Sequence, residues 1–302
     1  MNAAALLGRL LHALAWIPGS LPLAAQRVLG TLAGRLLHAR NNREAKVSRR
    51  NLELIAPQLS AAERELQVGD ILQATGRNGM ETLRVWTHSR AANLKLVRAV
   101  HGEDLFARTL AEARGLIIAA PHYGNWELLI EYLASRAPFS LVYRVPESHT
   151  GDAFLRRARS GHNVQLVPAE RNAMRPLWRA LKAGEIVGIT PDQQPKAGAG
   201  VFAPFFGKAA LTLSLIPKLA ERSGAPVLFA YAEPVAGGFD IHFEPSPMDI
   251  AGPDLELACT AMNQRVEEIA RRDLRQYQWT YKRYTRRPPG SGEHNPYHPD
   301  CY

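Results

Sequence analysis

The stretch 115-GLIIAAPHYGNWELLIEYLA-134 decides the fold. Leu116 to Ala120 form a short unbroken apolar run, as expected of a strand buried on both faces. Gly124 permits a sharp turn, Asn125 is a good N-cap, and a helix follows. His122 therefore lies just past the carboxyl end of a strand, where open α/β sheets place their ligands. Glu127 falls in the first turn of the helix. The spacing predicts that imidazole and carboxylate meet across the turn although they are five residues apart.

A carboxylate on one ring nitrogen fixes the tautomer and stabilises the imidazolium, leaving the other nitrogen as a base. That is the base–orienter half of a catalytic triad. The nucleophile of such a triad is missing, because the chain has no G-x-S-x-G and no cysteine placed for the purpose. The arrangement points to a base that activates an external hydroxyl directly, without an acyl-enzyme. The plainer reading is a turn histidine beside a glutamate that favours the helix dipole.

Further apolar runs occur at 139–143, 164–167, 186–190 and 226–231. Helical patterns separate them, near 103–114, 126–135, 151–160, 172–183, 209–223 and 254–273. Strands alternating with helices predict an α/β fold: a mixed, largely parallel sheet flanked by helices. FDIHFE at 239–244 alternates and is expected to add an antiparallel strand. Before residue 100 the pattern is helical, and Ser60 with Glu63 reads as a capping box opening a helix near 61–74.

Between Arg9 and Arg27 lie seventeen residues free of Asp, Glu, Lys and Arg, followed by the apolar VLGTLAG. Pro18, Gly19, Ser20 and Pro22 interrupt the run, and a spanning helix needs roughly 20 continuous apolar residues. The expectation is two short helices lying in a membrane interface, with Arg9, Arg27, Arg35 and Arg40 at the headgroups. A single span with snorkelling ends and an ordinary core hairpin are the alternatives. A cleaved signal peptide is disfavoured, since one charge precedes the run and no clean cleavage site follows. The organisation expected is a membrane-associating segment over 1–40, a helical region packing on the core over 41–100, an α/β domain over 101–288 and a loose tail over 289–302.

The net charge of +9, from 37 Lys and Arg against 28 Asp and Glu, implies an anionic partner. Cys259 and Cys301 stand far apart with no metal-ligand or disulfide spacing, which fits a reducing compartment and predicts no metal site. The basic, tyrosine-rich segment at 281–287 lacks any recognised nucleic-acid motif, so no nucleic acid is expected.

APHYGNWE resembles the H-x-x-x-x-D/E block of the glycerolipid and lysophospholipid acyltransferase superfamily, and its NWE form resembles the bacterial lipid A (lauroyl/myristoyl) acyltransferases. VYRVPES, the R-x-R-S at 157–160, GEIVGITPDQQP, GVFAPFFG, RSGAPVLFAY and QYQWTYKRYTRRP agree with that family in order. The resemblance runs from roughly residue 5 to 288. It implies an enzyme of the bacterial inner membrane, on the cytoplasmic face. The donor would be an acyl-carrier-protein thioester and the acceptor a hydroxyl of a lipid A precursor, with no cofactor.

By the same resemblance His122 is the general base and Glu127 its partner, and the family's further important arginine and aspartate fall on Arg159 and Asp192. Arg159 can pair with phosphate or steady an oxyanion, or be a solvated helix charge. Asp192 is an organising residue or a plain turn aspartate. Asn125, Arg144, Gln193 and the apolar loop of Phe205, Phe206 and Gly207 are expected to bind substrate, the last three lining an acyl groove. The sequence departs from the family at VYRVPESHTG, where relatives carry YRP with an asparagine or lysine, and at Tyr281-Lys282, where many show His-Arg. Rival readings are an acyltransferase acting on a lysophospholipid, ornithine lipid or mannosylated lipid, a His/Glu lipid hydrolase, and a non-catalytic module binding anionic lipid.

Overall fold

Leu116–Ala119 is buried along its whole length and pairs in parallel on both sides, which is why it contains no polar residue. Its side chains alternate between two cores. Leu116 and Ile118 join the one that contains Phe106, Leu129 and Leu133, while Ile117 and Ala119 join the one that contains Leu177, Leu219 and Val266. The chain is described by a computed structural model over residues 3–159, 161, 163–169, 173–196 and 198–302.

Five helices come first: α1 (Ala3–Gly19), α2 (Leu23–Ala39), α3 (Arg43–Ile55), α4 (Ala61–Thr87) and α5 (Arg90–Leu94). The α/β unit then runs β1 (Val97–His101), α6 (Glu103–Ala111), β2 (Leu116–Ala119), α7 (Trp126–Arg136), β3 (Phe139–Tyr143), α8 (His149–Arg159) and β4 (Val164–Pro168). It continues through α9 (Met174–Lys182), β5 (Ile186–Ile189), β6 (Gly200–Phe205), β7 (Lys208–Leu213), α10 (Leu215–Ser223), β8 (Val227–Val235), β9 (Gly238–Pro245) and α11 (Leu255–Arg272). The main sheet has the order β1-β9-β8-β2-β5-β3-β4. From β8 to β4 neighbours are parallel; β9 runs antiparallel to β8, and β1 lies parallel to β9. The expected α/β fold, with its largely parallel sheet and an antiparallel strand at 239–244, is the fold observed.

Several local expectations are corrected. Residues 97–101 form an edge strand rather than a helix, and 209–213 is strand β7 of a separate hairpin with β6. Phe206 and Gly207 make the tight turn of that hairpin, both at positive φ, where a loop was expected. The tail is not loose: Tyr297 and Cys301 are buried, and the Tyr297 hydroxyl donates to Asn51 Oδ1 at 2.5 Å while accepting from the Tyr284 N–H at 3.1 Å. Ser160 of the R-x-R-S block and Asn172, expected to begin a helix, lie outside the described residues.

The N-terminal apolar run forms two helices that pack on α4 rather than on each other, and no helix among the described residues is long and apolar enough to cross a membrane. α2 presses on α4 through glycines: a Cβ on Gly34 would lie 2.3 Å from the Leu72 carbonyl oxygen, and one on Gly76 2.1 Å from that of Gly30. Arg27, expected at a headgroup, turns inward instead. Its guanidinium donates to the buried Glu81 carboxylate at 2.5 Å and to the Val235 and Gly238 carbonyls at 2.6 and 2.9 Å, pinning α2 to the β8–β9 turn. A buried carboxylate needs such a charge partner.

Candidate active site

β2 and β5 are neighbours in the sheet, so the loops leaving their carboxyl ends meet. His122 comes from the first loop and Asp192 from the second. One Asp192 carboxylate holds the histidine twice: ring Nδ1–H donates to Oδ1 at 2.7 Å, and the backbone N–H donates to Oδ2 at 2.8 Å. This fixes the tautomer with its proton on Nδ1 and a lone pair on Nε2.

Asp192 is buried beneath this contact. Burial alone would raise its pKa, but the His122 charge and hydrogen bonds, with help from the Arg283 guanidinium, leave it below the ordinary carboxylate value. Burial, aided by the adjacent Asp192 charge, drives the Tyr277 hydroxyl well above its ordinary pKa and keeps it protonated. The Trp126 ring meets the His122 ring edge-on, with centroids 4.9 Å apart.

The turn is built as its sequence suggests. Gly124 takes φ +61°, and a Cβ there would fall 2.0 Å from the Ala232 carbonyl oxygen. Asn125 is a buried N-cap whose Oδ1 accepts from the Leu128 N–H at 3.0 Å. Glu127 occupies the first turn of α7, as expected, but does not orient His122. Its carboxylate, 2% exposed, accepts both Nε–H (3.1 Å to each oxygen) and Nη2–H (2.5 Å) of Arg159 from α8. Burial opposes the Arg159 charge, yet the Glu127 carboxylate outweighs it and raises the guanidinium pKa. The expected His122–Glu127 pair is therefore not formed; the four residues stand as two other pairs, His122–Asp192 and Glu127–Arg159.

Of the residues expected to contact substrate, Gln193 stands beside His122, with its carboxamide nitrogen 3.2 Å from His122 Nε2. Arg144 is exposed just after β3, near Tyr281. Phe205 and Phe206 pack in the core against Tyr277, Tyr284 and Trp279.

The sequence reading missed Gln278. Its N–H donates to the His122 carbonyl at 3.0 Å, and its Oε1 lies 3.3 Å from Gln193 Nε2. The segment carrying it docks by a bridge between Tyr277 and Tyr123. The only signal was its place in the closing QYQWTYKRYTRRP block. Among the described residues the His122 ring makes its hydrogen bonds with Asp192 and Gln193, and none with a serine or cysteine. Both cysteines are buried, and burial pushes the Cys259 thiol up to about 11, so no thiolate is at hand.

A paired base at a strand end, without its own nucleophile, suits transfer to an external hydroxyl. Comparison with known proteins gives the class. The family model for bacterial lipid A biosynthesis acyltransferases matches residues 6–286. The chain is 29% identical over 278 residues to the lipid A biosynthesis palmitoleoyltransferase of Escherichia coli (strain K12), covering 91% of this chain and 90% of that one. It is 27% identical over the same length to the lipid A biosynthesis lauroyltransferase of that organism, with the same coverage. A lipid A biosynthesis acyltransferase of Haemophilus influenzae is 26% identical over 251 residues, covering 82% of this chain and 79% of that relative. The match spans the N-terminal helices, the sheet and both ion-paired couples, and the chain belongs to the bacterial lipid A biosynthesis acyltransferase family.

Proposed function

We propose that this acyltransferase moves a fatty acyl group from an acyl-carrier-protein thioester to a hydroxyl of a lipid A precursor, at the cytoplasmic face of a bacterial inner membrane. The observation that carries the reading is the double hold of Asp192 on His122, which leaves Nε2 as a base with no serine or cysteine among the described residues hydrogen-bonded to it. Nε2 takes the proton of the acceptor hydroxyl as its oxygen attacks the thioester carbonyl. The tetrahedral intermediate collapses with cleavage of the C–S bond, and the imidazolium returns the proton to the departing thiolate. Asp192 stabilises the imidazolium in between.

Glu127 acts through Arg159. It fixes a guanidinium beside the helix that follows the base, where N–H donors can bind the developing oxyanion or a phosphate of either substrate. The net charge of +9 suits both an acidic carrier and an anionic lipid. The apolar outer face of α1 and α2 supports attachment to the bilayer that holds the acceptor.

Purified protein is tested with an acyl-carrier thioester and lipid A precursor. His122→Ala is expected to lower transfer by about 10²–10⁴-fold, the usual worth of a general base. Near-normal transfer by that variant overturns the assignment. Deleting the gene should remove one acyl chain from the lipid A mass spectrum; an unchanged spectrum with altered phospholipid or ornithine lipid would move the acceptor elsewhere.

A further inference from the structure

The nitrogen that must act as base is not open. Gln193 Nε2 lies 3.2 Å from His122 Nε2 and 3.3 Å from Gln278 Oε1. With Nδ1–H committed to Asp192, Nε2 of the neutral ring can only accept. Gln193 must therefore present its amide N–H groups, one to the base and one to Gln278. Gln278 is itself held, because its backbone N–H donates to the His122 carbonyl at 3.0 Å and the preceding Tyr277 is buried. His122 is 8% exposed, so the glutamine pair forms part of the cover over its ring. The reacting oxygen has to come within hydrogen-bond reach of Nε2, and the Gln193 carboxamide occupies that shell.

An enzyme that transfers an acyl group from a thioester to an alcohol must keep water from the same base. We propose that Gln193, tethered by Gln278, is a shutter that fills the seat of the reacting hydroxyl in the resting enzyme and yields it to the acceptor lipid but not to water. Water entering the seat exchanges one hydrogen bond for another and breaks the glutamine pair, with nothing to offset the loss. The acceptor hydroxyl arrives with apolar chain whose burial does offset it, so binding energy from the remote part of the substrate opens the base. In the side reaction that the shutter suppresses, water gives its proton to Nε2 and its oxygen bonds to the carbonyl carbon. The C–S bond then breaks and the thiolate takes the proton. Neither glutamine gains or loses a proton in either course; both are positioning residues. The proposal rests on the reading of His122 as the base.

The test follows free fatty acid and acylated lipid together, with the acyl-carrier thioester in the presence and absence of lipid A precursor. Without acceptor, Gln193→Ala is expected to release free acid about tenfold faster than wild type, the scale of one net hydrogen bond. Gln278→Ala should shift the ratio of hydrolysis to transfer in the same direction. Gln278→Glu, which keeps an acceptor oxygen for the Gln193 amide, should restore the wild-type ratio. The extra hydrolysis must vanish in the His122→Ala/Gln193→Ala double variant. A folded Gln193→Ala protein, checked by circular dichroism, with an unchanged ratio overturns the shutter; should it not fold, the Gln278 pair of variants decides. If His122→Ala transfers normally, the base assignment fails instead. If it is inactive while the ratio stays fixed, the shutter alone fails.

Discussion

His122 reaches into chemistry through a carboxylate that comes from another strand. A glutamate in the adjacent turn is the natural partner to expect, since the two share one strand–turn–helix unit. Yet the first turn of α7 directs Glu127 at α8, where Arg159 neutralises it, and the ring nitrogen is met by Asp192 from the loop after β5. That β5 lies beside β2 is a matter of crossover topology, which local spacing does not encode. The place of His122 at a strand end was legible from its own neighbourhood, and its carboxylate partner was not.

The two pairs predict different defects. Asp192→Asn should lower transfer by about 10³–10⁴-fold by releasing the wrong tautomer, with little change in apparent affinity for the thioester. Glu127→Gln should leave that tautomer intact and act through a loosened Arg159, lowering transfer and, if the guanidinium holds phosphate, raising KM. Steady-state kinetics of both variants separate the roles. Equal effects on kcat with identical pH profiles would argue for a single shared function.

At the scale of elements, runs with a plain apolar pattern were read correctly whatever their length, and mixed ones were not. β2, β3, β5 and α11 stand out because burial on both faces or along one stripe leaves a plain apolar pattern. β1 is an edge strand with no fully buried residue, and β6 contains Pro204, which argues against a strand away from an edge. The β6–β7 hairpin is held partly from outside its own sequence, by Asn263 of α11 donating to the Pro204 carbonyl at 2.8 Å and to the Thr212 hydroxyl at 2.9 Å.

A similar tie joins three N-terminal helices. Glu65 of α4 accepts two bonds of 2.8 Å from Arg49 of α3 and lies 2.6 Å from His38 Nε2 of α2. Arg49 chiefly, with His38, holds the Glu65 carboxyl down to about 2, from 4.5. A depressed folded pKa contributes stability above the unfolded value, and that contribution is lost as pH falls from about 4.5 through about 2. Glu65→Gln should therefore be less stable than wild type at pH 7, by about 1 kcal/mol or less because the group is well exposed. Urea titrations should show the gap closing in the acid range; a gap that persists at pH 2 would contradict the ion pairing.

For the whole molecule, the N-terminal helices present Leu6, Leu10, Leu14 and Ile17 of α1 and Val28, Leu29, Leu32 and Leu36 of α2 to the outside. Isolated exposed leucines are ordinary, but so many on two consecutive helices support the proposed attachment. Leu10→Glu/Leu14→Glu is expected to abolish sedimentation with anionic vesicles while transfer to detergent-dispersed acceptor survives. Vesicle binding that persists would remove this face from the proposed attachment. The apolar composition was legible; the inward turn of Arg27 was not, because Glu81 and the Val235 carbonyl lie far off in sequence.

The bridge between Tyr123 and Tyr277 joins positions about half the chain apart. Contacts of such separation close late in folding, because the loop entropy must be met before they contribute. During synthesis, His122 and Asp192 can associate once β5 has entered the sheet, but Gln278 arrives only after α11. A nascent or truncated chain thus passes through an interval in which the His122–Asp192 pair is assembled and still uncovered; under the proposed function, premature consumption of thioester is the hazard of that interval.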